Sequence, residues 1–134
     1  MKRTDFVLAV LSTSNGTAWT PVQVQKIFFL LDEKISDKIG RKQWNFTVQD
    51  YGPYDNEVYR EIENLKAIGQ AIIIKESMST FLLTVSGQRA GIIALNELGT
   101  IATYIKELSV WIRSLSFQQL VLAIYRDFPE FKPC

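Results

Sequence analysis

The chain has 134 residues, 47% of them apolar, with 15 Lys+Arg against 14 Asp+Glu, no histidine and a single cysteine, Cys134. This length suits one compact domain whose core needs no disulfide, and the absence of imidazole removes Ser-His and Cys-His nucleophile pairs and His metal ligands. A net charge of +1 provides no overall attraction to nucleic acid or anionic membrane, and a lone thiol, which cannot close an internal disulfide, fits a reducing compartment.

In chain order, Met1-Lys2-Arg3 is basic and is followed by an apolar run from Phe6 to Leu11. The run is short for a signal peptide and no small-residue cleavage site follows, so a buried helix over 4–13 is expected, with Phe6, Val7, Val10 and Leu11 on one face. Neither this run nor Ile27 to Leu31 approaches the ~18 apolar residues of a spanning helix, and a soluble, cytoplasmic protein is expected. Two glycosylation sequons, at Asn15 and Asn45, are read as chance matches.

Thr20-Pro21-Val22-Gln23 is a helix start, with Thr20 as cap, Pro21 in the first turn and Gln23 completing a capping box. The helix is predicted to run from Pro21 to about Ile35, with Val24, Ile27, Phe28, Leu31 and Ile35 buried and Phe29 and Leu30 widening the stripe. Asp32 and Glu33 are read as part of an exposed charged face. A charged stretch follows, and then Trp44, Phe46 and Val48 alternate with polar residues, which suggests an extended segment or edge strand. Tyr51-Gly52-Pro53-Tyr54-Asp55 is a corner: Gly52 permits unusual backbone angles, Pro53 restricts its predecessor, and Asp55 caps a helix over 56–68. That helix buries Val58, Tyr59, Ile62, Leu65 and, at its end, Ile68, with Gly69 as the stop.

Residues 71–75 and 80–84 flank a polar four-residue loop and read as a β-hairpin. Thr84 or Ser86 caps a helix over about 87–98, Gly99 separates it from another over 100–113, and Ser116 with Gln119 forms a second capping box opening a last helix that stops before Pro129. The fold class expected is α+β: a single, mainly helical, winged-helix-like domain over residues 1–134, with one β-hairpin and a C-terminal helical extension over about 99–128.

Gln25-Lys26-Ile27-Phe28-Phe29-Leu30-Leu31-Asp32, then Tyr51-Gly52-Pro53-Tyr54-Asp55, Tyr59 and Leu65, then Phe81-Leu82-Leu83-Thr84-Val85-Ser86-Gly87, and finally Leu115 to Val121 with Ala123-Ile124-Tyr125-Arg126 and Phe128-Pro129-Glu130, resemble a group of small uncharacterised bacterial proteins. That group is distantly similar to the Panacea (SocA-like) antitoxin domain, which shares a Q-K-x-x-[FY] helix and a later Y-G-P corner. The resemblance implies a helical, winged-helix-like fold and a protein that neutralises or adapts something by binding it, with no catalytic residues to carry over. After Phe131-Lys132 the sequence departs from the group, where a few more residues including Asn-Ser are expected.

The residues themselves leave three readings of function. Tyr51, Gly52, Pro53, Tyr54 and Asp55 make a structural corner whose tyrosines can also anchor a partner protein, since tyrosine is enriched at interface hot spots. The apolar helices near the C-terminus, which carry Trp111 and Tyr125 among others, either close the domain or bury surplus surface against a partner or a second copy. DNA binding is the alternative for a winged helix, as a dimeric regulator using Lys38, Arg41 and Lys42. Against it, the segment from Asp55 to Ile68 carries Asp55, Glu57, Glu61 and Glu63 but only Arg60 and Lys66, which repels phosphate. About 19 residues also separate the two central helices, where a tight helix-turn-helix uses ~3–4. No phosphate-binding glycine loop, paired catalytic carboxylates or nucleophile with a base is present, so no enzymatic activity, cofactor or metal is expected. The favoured expectation is a protein–protein interaction module, antitoxin- or adaptor-like, whose partner is another protein or a second copy.

Overall fold

A computed structural model describes residues 1–134. The elements, in order, are α1 (Arg3–Ser12), α2 (Pro21–Ile39), β1 (Thr47–Gln49), β2 (Gly52–Tyr54), α3 (Asn56–Ala67), β3 (Ala71–Lys75), β4 (Ser79–Leu83), α4 (Val85–Glu97), α5 (Ile101–Ser114) and α6 (Phe117–Asp127), with a 3-10 turn at Pro129–Phe131. The fold is α+β and mainly helical, with two separate two-stranded antiparallel sheets, β1–β2 and β3–β4. No helix is long and apolar enough to cross a membrane.

Local chemistry accounts for the starts of α2, α3, α4 and α6, whereas α1 and α5 begin without a side-chain cap. Thr20 and Ser116 each complete a capping box with the glutamine three residues on, and Asp55 and Thr84 accept from backbone N–H groups in the first turns of α3 and α4. Each such cap satisfies a donor that the helix itself cannot, worth ~1 kcal/mol.

The core is one contiguous cluster drawing side chains from all six helices and from Ala71 and Phe81 of the second sheet. Helix α1 lies at its centre. Phe6 through Ser12 are all buried, so the expected one-sided stripe gives way to a helix covered all round from its second turn on, as the absence of charge after Asp5 permits. It packs most extensively against α4, where Gly91 lets the two backbones meet: a Cβ there would lie 2.5 Å from the Leu8 carbonyl oxygen. Helices α5 and α6 belong to the same core, burying Ile105, Ile112, Leu120 and Ile124, while Tyr104, Trp111 and Phe117 face outward.

The structure corrects several details of the sequence reading. Helix α2 continues to Ile39, taking in the start of the charged stretch, and ends at Gly40 with φ +106°. Ile68 is 66% exposed, because α3 ends at Ala67 and the chain turns through Gly69 at φ +78°. The β3–β4 loop has three residues, with Lys75 paired to Ser79. Trp19 adds an antiparallel bridge to Phe81. The Tyr51 corner is itself half of a second hairpin, pairing Thr47 with Tyr54 and Gln49 with Gly52.

Asp32 is the clearest correction. It is buried rather than exposed. Its two carboxylate oxygens accept the backbone N–H groups of Gln43 (2.8 Å) and Trp44 (3.1 Å), tying the segment after α2 back onto that helix. Burial raises the carboxyl above its ordinary value, and those two bonds pull the other way.

Candidate functional site

The β1–β2 hairpin is held on α2 by two consecutive polar residues that interrupt an apolar run. The Gln25 amide donates to the Asp55 carbonyl (3.0 Å) and accepts from the Asp55 N–H (2.9 Å), imitating a strand partner. Lys26 donates from Nζ to the Pro53 carbonyl (3.0 Å). Asp55 then serves two neighbours, accepting from the Glu57 N–H as the α3 cap (2.9 Å) and from the Asn45 N–H (2.8 Å).

Gly52 is required by this geometry. Its φ is +101°, and a Cβ there would lie 3.2 Å from the Tyr125 ring and 3.7 Å from Lys26 Nζ. The hairpin backbone therefore sits directly between α2 and α6. Above it the Tyr51 ring meets Phe117 edge-on (5.0 Å), and Tyr54 meets Tyr59, which in turn stacks on Phe81.

Between the hairpin, the first turns of α2 and the start of α6 opens a cleft of about 550 Å³. Its walls include Val22, Tyr51, Tyr59, Met78, Phe117 and Leu120, and the only charged side chains lining it are Lys26 and Asp50. Tyr51 is 59% exposed and Phe117 47%, so a large aromatic pair is presented to solvent at its rim. Lys26 is 3% exposed and no carboxylate lies within ion-pairing distance of it. Burial lowers its ammonium from 10.5 to about 8, which leaves it mainly charged at neutral pH.

Burial also pushes the Tyr59 phenol up to about 12, against a hydrogen bond with the Gln25 side chain. Tyr125 is raised as well, by desolvation and then by the nearby Tyr51. The cleft thus offers phenols, apolar surface and one ammonium: donors and contact area for binding. No three Cys, Asp or Glu side chains converge in a way that could hold a metal ion.

Of the residues singled out from the sequence, Tyr51, Gly52 and Tyr54 line this cleft, Pro53 and Asp55 fix its hairpin to α2, and Tyr125 packs beneath Gly52. Trp111 does not line it; it is 40% exposed on α5. Tyr54 is half-buried, with its hydroxyl bonded to Asn56 Oδ1 (3.1 Å), so Tyr51 rather than Tyr54 is the exposed member of the pair. Gln25, Lys26 and Phe117 were not singled out for this site. The signal for the first two was legible: polar residues between Val24 and Ile27 on a helix otherwise read as core must find partners inside.

The basic residues considered for nucleic acid lie elsewhere. Arg41 and Lys42 border a second cavity of about 570 Å³ with Lys2 and Arg3, and Lys38 borders a neighbouring one. Lys42 is paired with Glu33 (3.1 Å). Arg3 is committed to Glu61 (2.9 Å) and to the Gln43 carbonyl (3.1 Å), and it lies over the Trp44 ring. Lys2, Lys38 and Arg41 remain outside ion pairs; on the nearby α3, Glu57 is paired with Arg3 and Arg60, and Glu63 is exposed and outside any ion pair.

No family model, curated protein or solved structure matches this chain.

Proposed function

We propose that the protein is a non-catalytic, cytoplasmic partner-binding module, antitoxin- or adaptor-like, that docks a segment of another protein in the cleft between the β1–β2 hairpin, α2 and α6. The observation that carries this reading is the exposed Tyr51–Phe117 pair at the mouth of a largely apolar cleft of about 550 Å³. Aromatic anchors beside a preformed concavity are what interface hot spots are made of. The floor is preorganised, because Gln25, Lys26 and Asp55 hold the hairpin by bonds that need not form on binding.

The resemblance to the Panacea (SocA-like) domain supports the same reading, since the Q-K pair and the Y-G-P corner that carry it are the residues joined in the floor of the cleft. The succession of α3, the β3–β4 hairpin and the Trp19 bridge to Phe81 supports a winged-helix-like unit, here used as a scaffold. Pairing of Lys42 with Glu33 and the acidic face of α3 weigh against a DNA-reading role through Lys38, Arg41 and Lys42.

The test is recovery of complexes from cells that carry the gene, scored for both protein and nucleic acid. The expected result is a stoichiometric protein partner that is lost from a Tyr51→Ala/Phe117→Ala double variant and kept by Trp111→Ala, with folding unchanged in both. A partner retained by the double variant would overturn the cleft as its site. DNA fragments released by salt, with no second protein, would overturn the reading as a whole.

A further inference from the structure

Lys26 is a buried cation without a counter-ion in a wall of an open cleft. An ammonium has three N–H donors, and the one bond it makes is to the Pro53 carbonyl. Charges this deeply placed are ordinarily paired, because desolvation is otherwise uncompensated. No carboxylate of the chain lies within ion-pairing distance of it: Asp32, the buried acid of the same helix, is consumed by Gln43 and Trp44, Asp55 by Asn45 and Glu57, and Asp50, exposed in the cleft lining, does not pair with Lys26. The titratable groups gathered around Lys26 are Asp50 and Tyr51 in the hairpin turn, Tyr54 on β2, Tyr59 on α3 and Tyr125 on α6. The first turn of α2, the positive end of a helix dipole, forms part of the same wall.

Resting on the docking reading above, we propose that Lys26 anchors the side-chain carboxylate of an acidic residue, flanked by an apolar or aromatic residue, in the partner segment that occupies this cleft. Charge selects the ligand class. One ammonium matches a monoanion, and Asp50, the other charged residue of the lining, disfavours a dianionic phosphate. Access selects the source: Lys26 is 3% exposed, so a slim projecting Asp or Glu side chain reaches it where main chain would not. The flanking apolar residue rests on Tyr51, Phe117 and Leu120.

The experiment titrates the purified full chain with blocked dipeptides, acetyl-Phe-Glu-amide and acetyl-Phe-Gln-amide, with N-acetylphenylalanine and inorganic phosphate as further probes, following backbone amide signals and the Lys26 side-chain resonance by NMR. The Glu peptide is expected to bind ~10-fold or more tightly than the Gln peptide, the worth of a hydrogen bond between charged groups. It should shift Tyr51, Gly52 and Phe117, and raise the pH at which Lys26 titrates. In Lys26→Met the preference for Glu should vanish while the Gln peptide binds as before. Because that variant could alter packing, the Lys26 titration in the wild-type protein serves as an independent reading, and an unmoved titration on Glu-peptide binding overturns the proposal.

Equal binding of the Glu and Gln peptides, both shifting Tyr51 and Phe117, would overturn the carboxylate anchor and leave the docking cleft standing. Binding of neither would overturn both. Stronger binding of N-acetylphenylalanine or of phosphate than of the Glu peptide would overturn the side-chain source or the carboxylate class, respectively.

Discussion

Replacing Lys26 by Met should stabilise the free protein at neutral pH, and the gain should disappear in alkali. The fall of the ammonium from 10.5 to about 8 corresponds to ~3 kcal/mol at ~1.4 kcal/mol per unit. Below about pH 8 both folded and unfolded chains carry the proton, and the folded state bears the whole cost of the buried charge. Between about 8 and 10.5 the unfolded chain holds a proton that the folded chain has released, so stability rises with pH through that window and levels off above it. Methionine has no charge to desolvate, but it forfeits the bond to the Pro53 carbonyl, worth ~1 kcal/mol. The variant should therefore be more stable by ~2 kcal/mol at pH 7 and less stable by ~1 kcal/mol above pH 10.5. Urea unfolding of both proteins, followed by tryptophan fluorescence from pH 6.5 to 11, measures the difference directly, and the titrations common to both proteins largely cancel in it. A difference that stays flat across this range would refute the claim that Lys26 is buried charged and unpaired.

Gly91→Ala should cost about 3 kcal/mol, since the new methyl meets the Leu8 carbonyl and Ser12 Cβ across the α1–α4 contact, outweighing the better helix propensity of alanine; thermal unfolding checks it. Asp32→Asn, which leaves one carboxamide oxygen for two N–H donors, should lose ~2 kcal/mol and speed hydrogen exchange at the Gln43 and Trp44 amides before it affects α3. Gly52→Ala faces both the strain of φ +101° and the Tyr125 ring, and should cost ~1–3 kcal/mol while shifting the NMR signals of Tyr51 and Phe117. By contrast, Tyr51→Ala/Phe117→Ala should lower unfolding free energy by only ~1–2 kcal/mol, as both rings are about half exposed; a larger loss would make them structural.

Helix starts were legible because capping chemistry is local. Thr20 with Gln23, Asp55 and Ser116 with Gln119 act within a few residues of chain, so the residue order alone specifies them, whereas the sequence left both Thr84 and Ser86 open as the α4 cap and the structure uses Thr84, starting the helix at Val85. The β3–β4 hairpin was legible for a similar reason: two apolar runs separated by a short polar loop have few other ways to pair. The ends of elements were less so. Helix α2 outruns its expected end by reaching Gly40, and Ile68 falls outside α3, because a helix stops where tertiary packing and a residue of positive φ allow it to.

The candidate site divides along the same line. Its turn was visible as a corner at Tyr51-Gly52-Pro53-Tyr54-Asp55, since glycine and proline constrain their own backbone, but the pairing of that corner with Thr47–Gln49 as a second hairpin was not. The roles of Gln25 and Lys26 depend on partners 27 to 30 residues further along, and the rim needs Phe117 to come back against Tyr51. By itself the sequence determined a mainly helical α+β chain with its caps and turns, a balanced charge and no imidazole chemistry. Only the tertiary structure decided which polar side chains are buried, that α1 is enclosed on every side, and that one ammonium faces a cleft without a counter-ion. Caps and turns are set by contacts within a few residues, whereas burial and charge pairing depend on what distant segments bring to the same place.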